Sequence, residues 1–421
     1  MKKYKIIAFL LPILIFTQCQ LSVIDDPNGI TQDKTVDGKG PLYLLAGALK
    51  AGFEAHNQIC WSAGLVGNEE LAFITANISQ NARRIQEEGV VAADLGQNTT
   101  QASGTYSSLA LAANARKAVE ATSYNAATKA LFLANINLIE GIMYGNWSKF
   151  YVKGYELSVG KELTPDQTRD LAIAKLQEAI KQFEAYNNAT DFGGTVVTGL
   201  FNNKELGVKF CNSFIGMLYH DTGAKNLAAP FLQKGYVNAD AGKELGYKNS
   251  NTLTSGADAI YSAVVSGVQF QFNQYSTSFR SDRITQDTFR RFPSNWSVAQ
   301  VSLADNALKI NYFYPAAPGT GTIPATSRLA YYPIITANEV ALMLADAGVT
   351  PSVTAAQRTQ VITDVLTSWK IPAAVVTTLA ADATVTLDRV ARYEYAGRGR
   401  RWAATAGKYT RWPLSNEFSF R

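Results

Sequence analysis

Thr164-Pro165-Asp166-Gln167, followed by Leu176, Ala179, Ile180 and Phe183, is the stretch that decides the fold. The Thr164 hydroxyl can cap the first free amides of a helix. Pro165 suits the first helical position, where an N–H would go unbonded anyway, and Gln167 completes a capping box. The four apolar residues then recur with the spacing of one helical face. Upstream, Leu131, Ala134, Leu138 and Ile142 give a second such face, and downstream Phe210, Phe214, Met217 and Leu218 give a third. Asp221-Thr222-Gly223 ends the third helix, and Lys225 to Tyr236 supplies a short antiparallel partner. Amphipathic helices paired through short turns point to degenerate helical repeats of tetratricopeptide type.

Outward from this core, the chain divides by composition. Residues 41–248 read as the helical-repeat region. Residues 249–332 are dominated by Gly, Ser, Asn and aromatics, with alternating patches at Val268 to Phe272 and Leu308 to Tyr314, and read as a variable, loop-rich segment with short strands. Residues 333–421 return to helix and are expected to pack back on the repeats. Thr336 to Ala347 forms one helix with Ala337, Val340, Ala341 and Leu344 on a shared face, and two more are expected near Ala355 to Lys370 and Leu387 to Tyr395. The expected fold class is mainly α: tetratricopeptide-like repeats packed against an irregular segment.

The first residues address the protein. Lys2, Lys3 and Lys5 precede an unbroken apolar run from Ile6 to Phe16, then Thr17-Gln18-Cys19. A basic start and a short apolar run form a secretory signal, and the run is too short for a bilayer, which needs about 20 apolar residues. A cysteine directly after the run marks residues 1–18 as a bacterial lipoprotein signal peptide, with Cys19 the lipid-attachment site. Residues 19–40, polar and turn-rich around Asp25-Asp26-Pro27-Asn28-Gly29, read as a tether.

Composition narrows the function. The chain has 421 residues, 47% hydrophobic and 17% charged, the balance of a well-buried globular body. A net charge of +5 on this mass is no nucleic-acid signature, and no nucleic-acid partner is expected. Beyond Cys19, Cys60 and Cys211 can pair or remain two buried thiols. His56 and His220 are the only histidines, without an H-E-x-x-H or a G-x-S-x-G elbow, so no enzyme, metal or cofactor is expected. Glycosidase carboxylates follow no spacing rule along a chain, which leaves a surface hydrolase as a rival reading. His220 ends an apolar helix face and reads as a capping or surface residue. Arg389, Arg392, Arg398, Arg400, Arg401 and Arg411 form a basic cluster, read as structural pairs to carboxylates of the repeats.

Four segments, in order, carry a family resemblance. Asp26-Pro27-Asn28 follows the lipoprotein signal, and Ala130-Leu131-Phe132-Leu133-Ala134 leads to Tyr144-Gly145. Arg328 to Ile334 precedes Glu339, Leu342 and Ala345-Asp346-Ala347. Arg392-Tyr393-Glu394-Tyr395-Ala396 leads to Arg401-Trp402, with Pro413-Leu414 and Glu417 closing the chain. Together they resemble a divergent, short SusD/RagB-type outer-membrane nutrient-binding lipoprotein. The departures include Arg398 in place of an acid and Ala403-Ala404 in place of Asp-Leu. The resemblance implies a surface-exposed outer-membrane protein anchored in lipid through Cys19, with a SusC-like TonB-dependent transporter as its partner.

Sugar rings have apolar faces and polar edges, so flat aromatic rings beside amides suit a glycan or oligosaccharide ligand. The candidates are Trp61, Tyr275, Asn295, Trp296, Tyr312 and Tyr314, with Phe279, Phe292 and Phe313 nearby in the sequence. The expected function is capture of a glycan nutrient and its delivery to the transporter. The alternatives are a peptide-binding member of the same family and a tethered helical-repeat scaffold without a small ligand.

Overall fold

A computed structural model describes residues 40–66, 70–71, 84–85, 88, 90–186, 203–248, 274–275, 331–348, 354–368, 373–395, 400 and 411–413. Helix dominates among them. The Thr164 capping box forms as its residues demand: Gln167 N–H donates to Thr164 Oγ1 at 3.3 Å, and Thr164 N–H donates to Gln167 Oε1 at 3.0 Å. The resulting helix, α4 (Pro165–Ala185), buries Leu176, Ala179 and Phe183 and half-buries Ile180. Before it come α1 (Gly40–Val66), α2 (Gly96–Ala121) and α3 (Ala126–Phe150); after it come α5 (Lys204–Asp221) and α6 (Lys225–Leu232).

The most extensive packing is within the successive pairs α1/α2, α3/α4 and α5/α6, and α2 against α3 and α4 against α5 join the pairs into one array. Within α1/α2 the helices run antiparallel, since Gly47 meets Leu111 while Ala55 meets Gly104. This is the logic of a helical repeat: each hairpin covers the apolar face its neighbour cannot bury alone. Glycine sets the closest approaches. A Cβ on Gly207 of α5 would stand 2.6 Å from the Phe183 ring of α4, and one on Gly141 of α3 would stand 2.5 Å from Leu176. The expected faces are buried, but α3 is buried almost all round from Ala130 onward, because α1, α2, α4 and α5 surround it. Its Glu140 therefore needs partners, and Arg116 of α2 and Lys175 of α4 each reach it at 2.8 Å.

Three details depart from the sequence expectations. A small antiparallel hairpin, β2 (Gly154–Glu156) and β3 (Lys161–Leu163), interrupts the region read as wholly helical, turning at Gly160 with φ +64°. Helix α7 (Ala337–Ala347) buries Glu339, Leu342 and Met343 more fully than Ala341 and Leu344. It packs against α5 and α6, and also against α8 (Ala355–Ser368) and α10 (Leu387–Tyr395), so no single face describes it. Between α8 and α10 lies α9 (Ala373–Ala381), which the β-branched Val375, Val376, Thr377 and Thr378 conceal from a propensity reading. Thr377 and Thr378 return their hydroxyls to the carbonyls of Ala373 and Ala374, and Val376 is buried.

The irregular segment leaves and rejoins the helical body at one place. β4 (Gly246–Lys248) pairs antiparallel with β6 (Tyr331–Pro333), Lys248 opposite Tyr331. The patches expected at Val268 to Phe272 and Leu308 to Tyr314 lie outside the described residues. At the other end, Trp412 is fully buried against Phe150 and Tyr151, its N–H donates to Phe150 O at 2.7 Å, and Asn98 of α2 donates to Pro413 O. Cys60 and Cys211 are both buried thiols outside any disulfide, which settles the question the sequence left open.

Candidate functional site

Two of the candidate ligand residues fall on described backbone. Trp61 lies near the C-terminal end of α1, and Tyr275 lies in the strand β5 (Gln274–Tyr275). β5 pairs antiparallel with β1 (Glu70–Leu71), the strand that follows α1, so Tyr275 stands opposite Glu70. This pairing brings a candidate from the irregular segment beside the strand that follows the helix carrying Trp61. Asn295, Trp296, Tyr312, Tyr314 and the lipid-attachment Cys19 lie outside the described residues, as do Phe279, Phe292 and Phe313.

A second location has full side-chain geometry. A cleft of about 730 Å³ opens where the C-terminal end of α5 meets α7 and α10, lined among others by His220, Lys225, Asp346, Asp388, Tyr395 and Arg411. Gly223, with φ +79°, turns the chain there from α5 into α6 and places Lys225 beside Asp346 at 2.8 Å. His220 Nε2 also meets Asp346 Oδ2, at 2.9 Å, while its Nδ1 faces Asp221 Oδ1 at 3.8 Å. Burial alone disfavours the imidazolium, yet the carboxylates of Asp221 and Asp346 outweigh it and the His220 pKa is raised. His220, helped by Lys225, holds the Asp346 carboxyl down at about 2. His220 is thus an internal link between α5 and α7 rather than the cap or surface residue expected. The cleft offers charged hydrogen-bonding groups and is suited to a polar or ionic ligand.

Beneath the cleft lies a buried charge cluster. Asp221, the last residue of α5, meets Arg400 at 2.7 Å and Lys149 of α3 at 2.9 Å. Burial pushes the Asp221 carboxyl up, but Arg400 and Lys149 more than reverse this and hold it well below the usual carboxylate range. Arg400 also stacks on Tyr395, 4.5 Å from the ring centre. The basic cluster therefore does at Arg400 what the sequence reading expected, pairing with a carboxylate of the repeats. The available signal for the rest was Lys149 near the end of a largely apolar helix, since a buried ammonium needs an acid partner. Nearby, His56 Nδ1–H donates to Asn146 Oδ1 at 3.2 Å, leaving Nε2 to accept from the Cys60 thiol at 3.5 Å. Thiol, imidazole and amide in line have the order of a nucleophilic triad. The cavity beside them is only about 10 Å³, which admits no acyl substrate. Among the described residues no three His, Cys, Asp or Glu side chains are grouped to hold a metal ion, and no helix is long and apolar enough to cross a membrane.

Among the described residues that carried the resemblance, Glu339 and Glu394 stand in the scaffold. Glu339 caps its own helix through Thr336, and the fully buried Glu394 accepts from the Thr336 hydroxyl at 3.0 Å. No protein-family model matches the sequence, and no curated protein matches it significantly. Solved structures do. A SusD superfamily protein from Bacteroides thetaiotaomicron is similar over 87% of this chain and 88% of its own, with a TM-score of 0.61 at 14% identity. A laminarin-binding SusD-like protein matches over 87% and 90%, with a TM-score of 0.59 at 13% identity. The surface glycan-binding protein A from Bacteroides thetaiotaomicron, solved in complex with laminarihexaose, matches over 87% and 89%, with a TM-score of 0.57 at 11% identity. Likeness over most of both chains shows a shared fold, and this protein folds like these SusD-like structures.

Proposed function

We propose that the protein binds a glycan or oligosaccharide at the cell surface, without turning it over, and passes it to a SusC-like TonB-dependent transporter in the outer membrane. The observation that carries this reading is the shared architecture with the laminarihexaose-bound glycan-binding protein over 87% of the chain. The lipoprotein signal supports placement at the outer membrane through Cys19. The insertion of the aromatic-rich segment between paired strands, Lys248 beside Tyr331, supports a separate ligand-binding element on a helical body. In this reading Trp61, Tyr275, Trp296, Tyr312 and Tyr314 stack on sugar faces and Asn295 binds their edges. The charged cleft at His220, Lys225 and Arg411 favours a second reading, a peptide-binding protein of the same fold, since such groups suit free carboxylates and amines.

Calorimetry against panels of β-glucans, other glycans and short peptides separates the two. Trp296→Ala should weaken glycan binding by roughly 1–3 kcal/mol, on the scale of a large apolar side chain removed from water, with little change in stability. Binding to peptides alone, or unchanged glycan affinity in Trp296→Ala, rejects the glycan site. Appearance of new reducing ends from any polysaccharide, lost on substitution of one Asp or Glu, rejects the non-catalytic role.

A further inference from the structure

We propose that the cleft at the end of α5 binds a sugar carboxylate, and that the glycan this protein takes is an acidic one carrying uronic acid units. This rests on the glycan reading above and names the class of glycan. It makes the charged cleft part of the glycan site rather than the mark of a peptide binder.

The helix directions place the cleft. Gly52 and His56 of α1 meet Ile139 and Asn146 of α3, so these two helices run the same way. Gly145 and Lys149 of α3 meet Phe214 and Asp221 of α5, so α5 runs that way too. The C-terminal ends of α1, α3 and α5 therefore lie at one end of the helical array. Trp61 lies near that end of α1, and the cleft opens at that end of α5. Its volume of about 730 Å³ suits a short oligosaccharide.

Among the described residues four carboxylates line the cleft, and each is already engaged. Asp221 is buried with Arg400 and Lys149, and Asp346 takes both His220 and Lys225 on one oxygen. Asp166 pairs with Arg169, and Asp388 is engaged too. Arg411 differs: it is exposed at the cleft and has no partner. Water alone satisfies most surface arginines, but this one is held in place. The next residue, Trp412, is fully buried, its N–H donates to Phe150 O at 2.7 Å, and its carbonyl accepts from Val152 N–H at 3.0 Å. Lys225, 45% exposed, spends one N–H on Asp346 and keeps others for a ligand. Leu342, Leu387 and Ala391 add apolar surface to the same cleft. A uronic acid matches this combination, a ring with an apolar face and a carboxylate at its edge. A planar guanidinium takes that carboxylate through two parallel hydrogen bonds. A neutral sugar would take Arg411 out of water and give it no counter-charge.

The test compares uronate oligosaccharides of the galacturonate, glucuronate and mannuronate types, each beside its methyl ester, which removes the charge and keeps the sugar. In calorimetry at low salt at least one acid form should bind roughly tenfold or more tighter than its ester, with the preference shrinking as salt is raised. Arg411→Gln, which breaks no contact within the protein, should leave the melting temperature unchanged and remove the preference for the acid. Equal binding of acid and ester, or a preference that Arg411→Gln retains, overturns the proposal. Binding of neutral glycans alone also overturns it, while leaving the glycan reading intact. Binding of peptides alone, or of none of these probes, rejects both.

Discussion

Asp221→Asn tests the buried cluster most directly. The Asp221 side chain is 7% exposed and joins Arg400 and Lys149, themselves 3% and 10% exposed, across three separate parts of the chain. Breaking a buried ion pair by removing one partner costs about 3–5 kcal/mol, because the remaining charge is stranded away from water. Asparagine keeps the shape and one acceptor oxygen, so a loss near the lower end, about 3 kcal/mol, is expected. Urea denaturation at pH 7, followed by circular dichroism and tryptophan fluorescence, should show a lower midpoint with an unchanged slope. The pH dependence has a definite sign. A carboxyl depressed below its ordinary value of 3.8 contributes stability that is present above that pH and lost as pH falls through the folded value. The gap between wild type and variant should therefore persist from neutrality down to about pH 4 and close only in stronger acid. In a double-mutant cycle, Arg400→Met should cost less in the Asp221→Asn background than in wild type, since the charge it would strand has already gone. An Asp221→Asn variant within about 0.5 kcal/mol of wild type, the range of ordinary surface changes, refutes the reasoning.

Other parts of the molecule give sharper but smaller readouts. Gly207→Ala gains about 1 kcal/mol of helix propensity, but its Cβ would meet three Phe183 ring carbons within 2.7 Å, so a net loss of about 1–2 kcal/mol in chemical denaturation is expected. Gly96→Ala, with nothing within 4 Å, is its neutral control. Because the His220 pKa is raised above its ordinary 6.5, the link to Asp346 stabilises fully below that pH and weakens as pH rises through the folded value. His220→Gln should remove that slope from a melting series between pH 6 and 8, and an unchanged slope assigns it to another group. Cys19→Ala should leave the folded body intact but free of the membrane fraction, because each acyl CH₂ contributes about 0.8 kcal/mol of membrane affinity; retention with the membrane argues against the anchor.

The helical architecture was legible because its signals act over a few residues. The Thr164 box, the apolar spacing of α4 and the stop at Asp221-Thr222-Gly223 each involve neighbours within about two turns of helix, and each forms as read. Where local and tertiary terms oppose each other, the reading failed. α9 forms despite its β-branched run because Val376 is buried and its threonines satisfy themselves, and α7 loses a single apolar face because helices cover it on several sides. For the ligand site, aromatic chemistry could nominate Trp61 and Tyr275, but only strand pairing brings Tyr275 opposite Glu70, just beyond the helix that carries Trp61. His220 and Asp221 looked like the end of a helix. Their partners Asp346, Lys149 and Arg400 come from elements far apart in the chain, and no periodicity records such a meeting. Sequence by itself determined which segments are helices and which faces are apolar, because those are local energies. Which buried charges share a carboxylate was decided only when packing removed water from side chains that the sequence keeps apart.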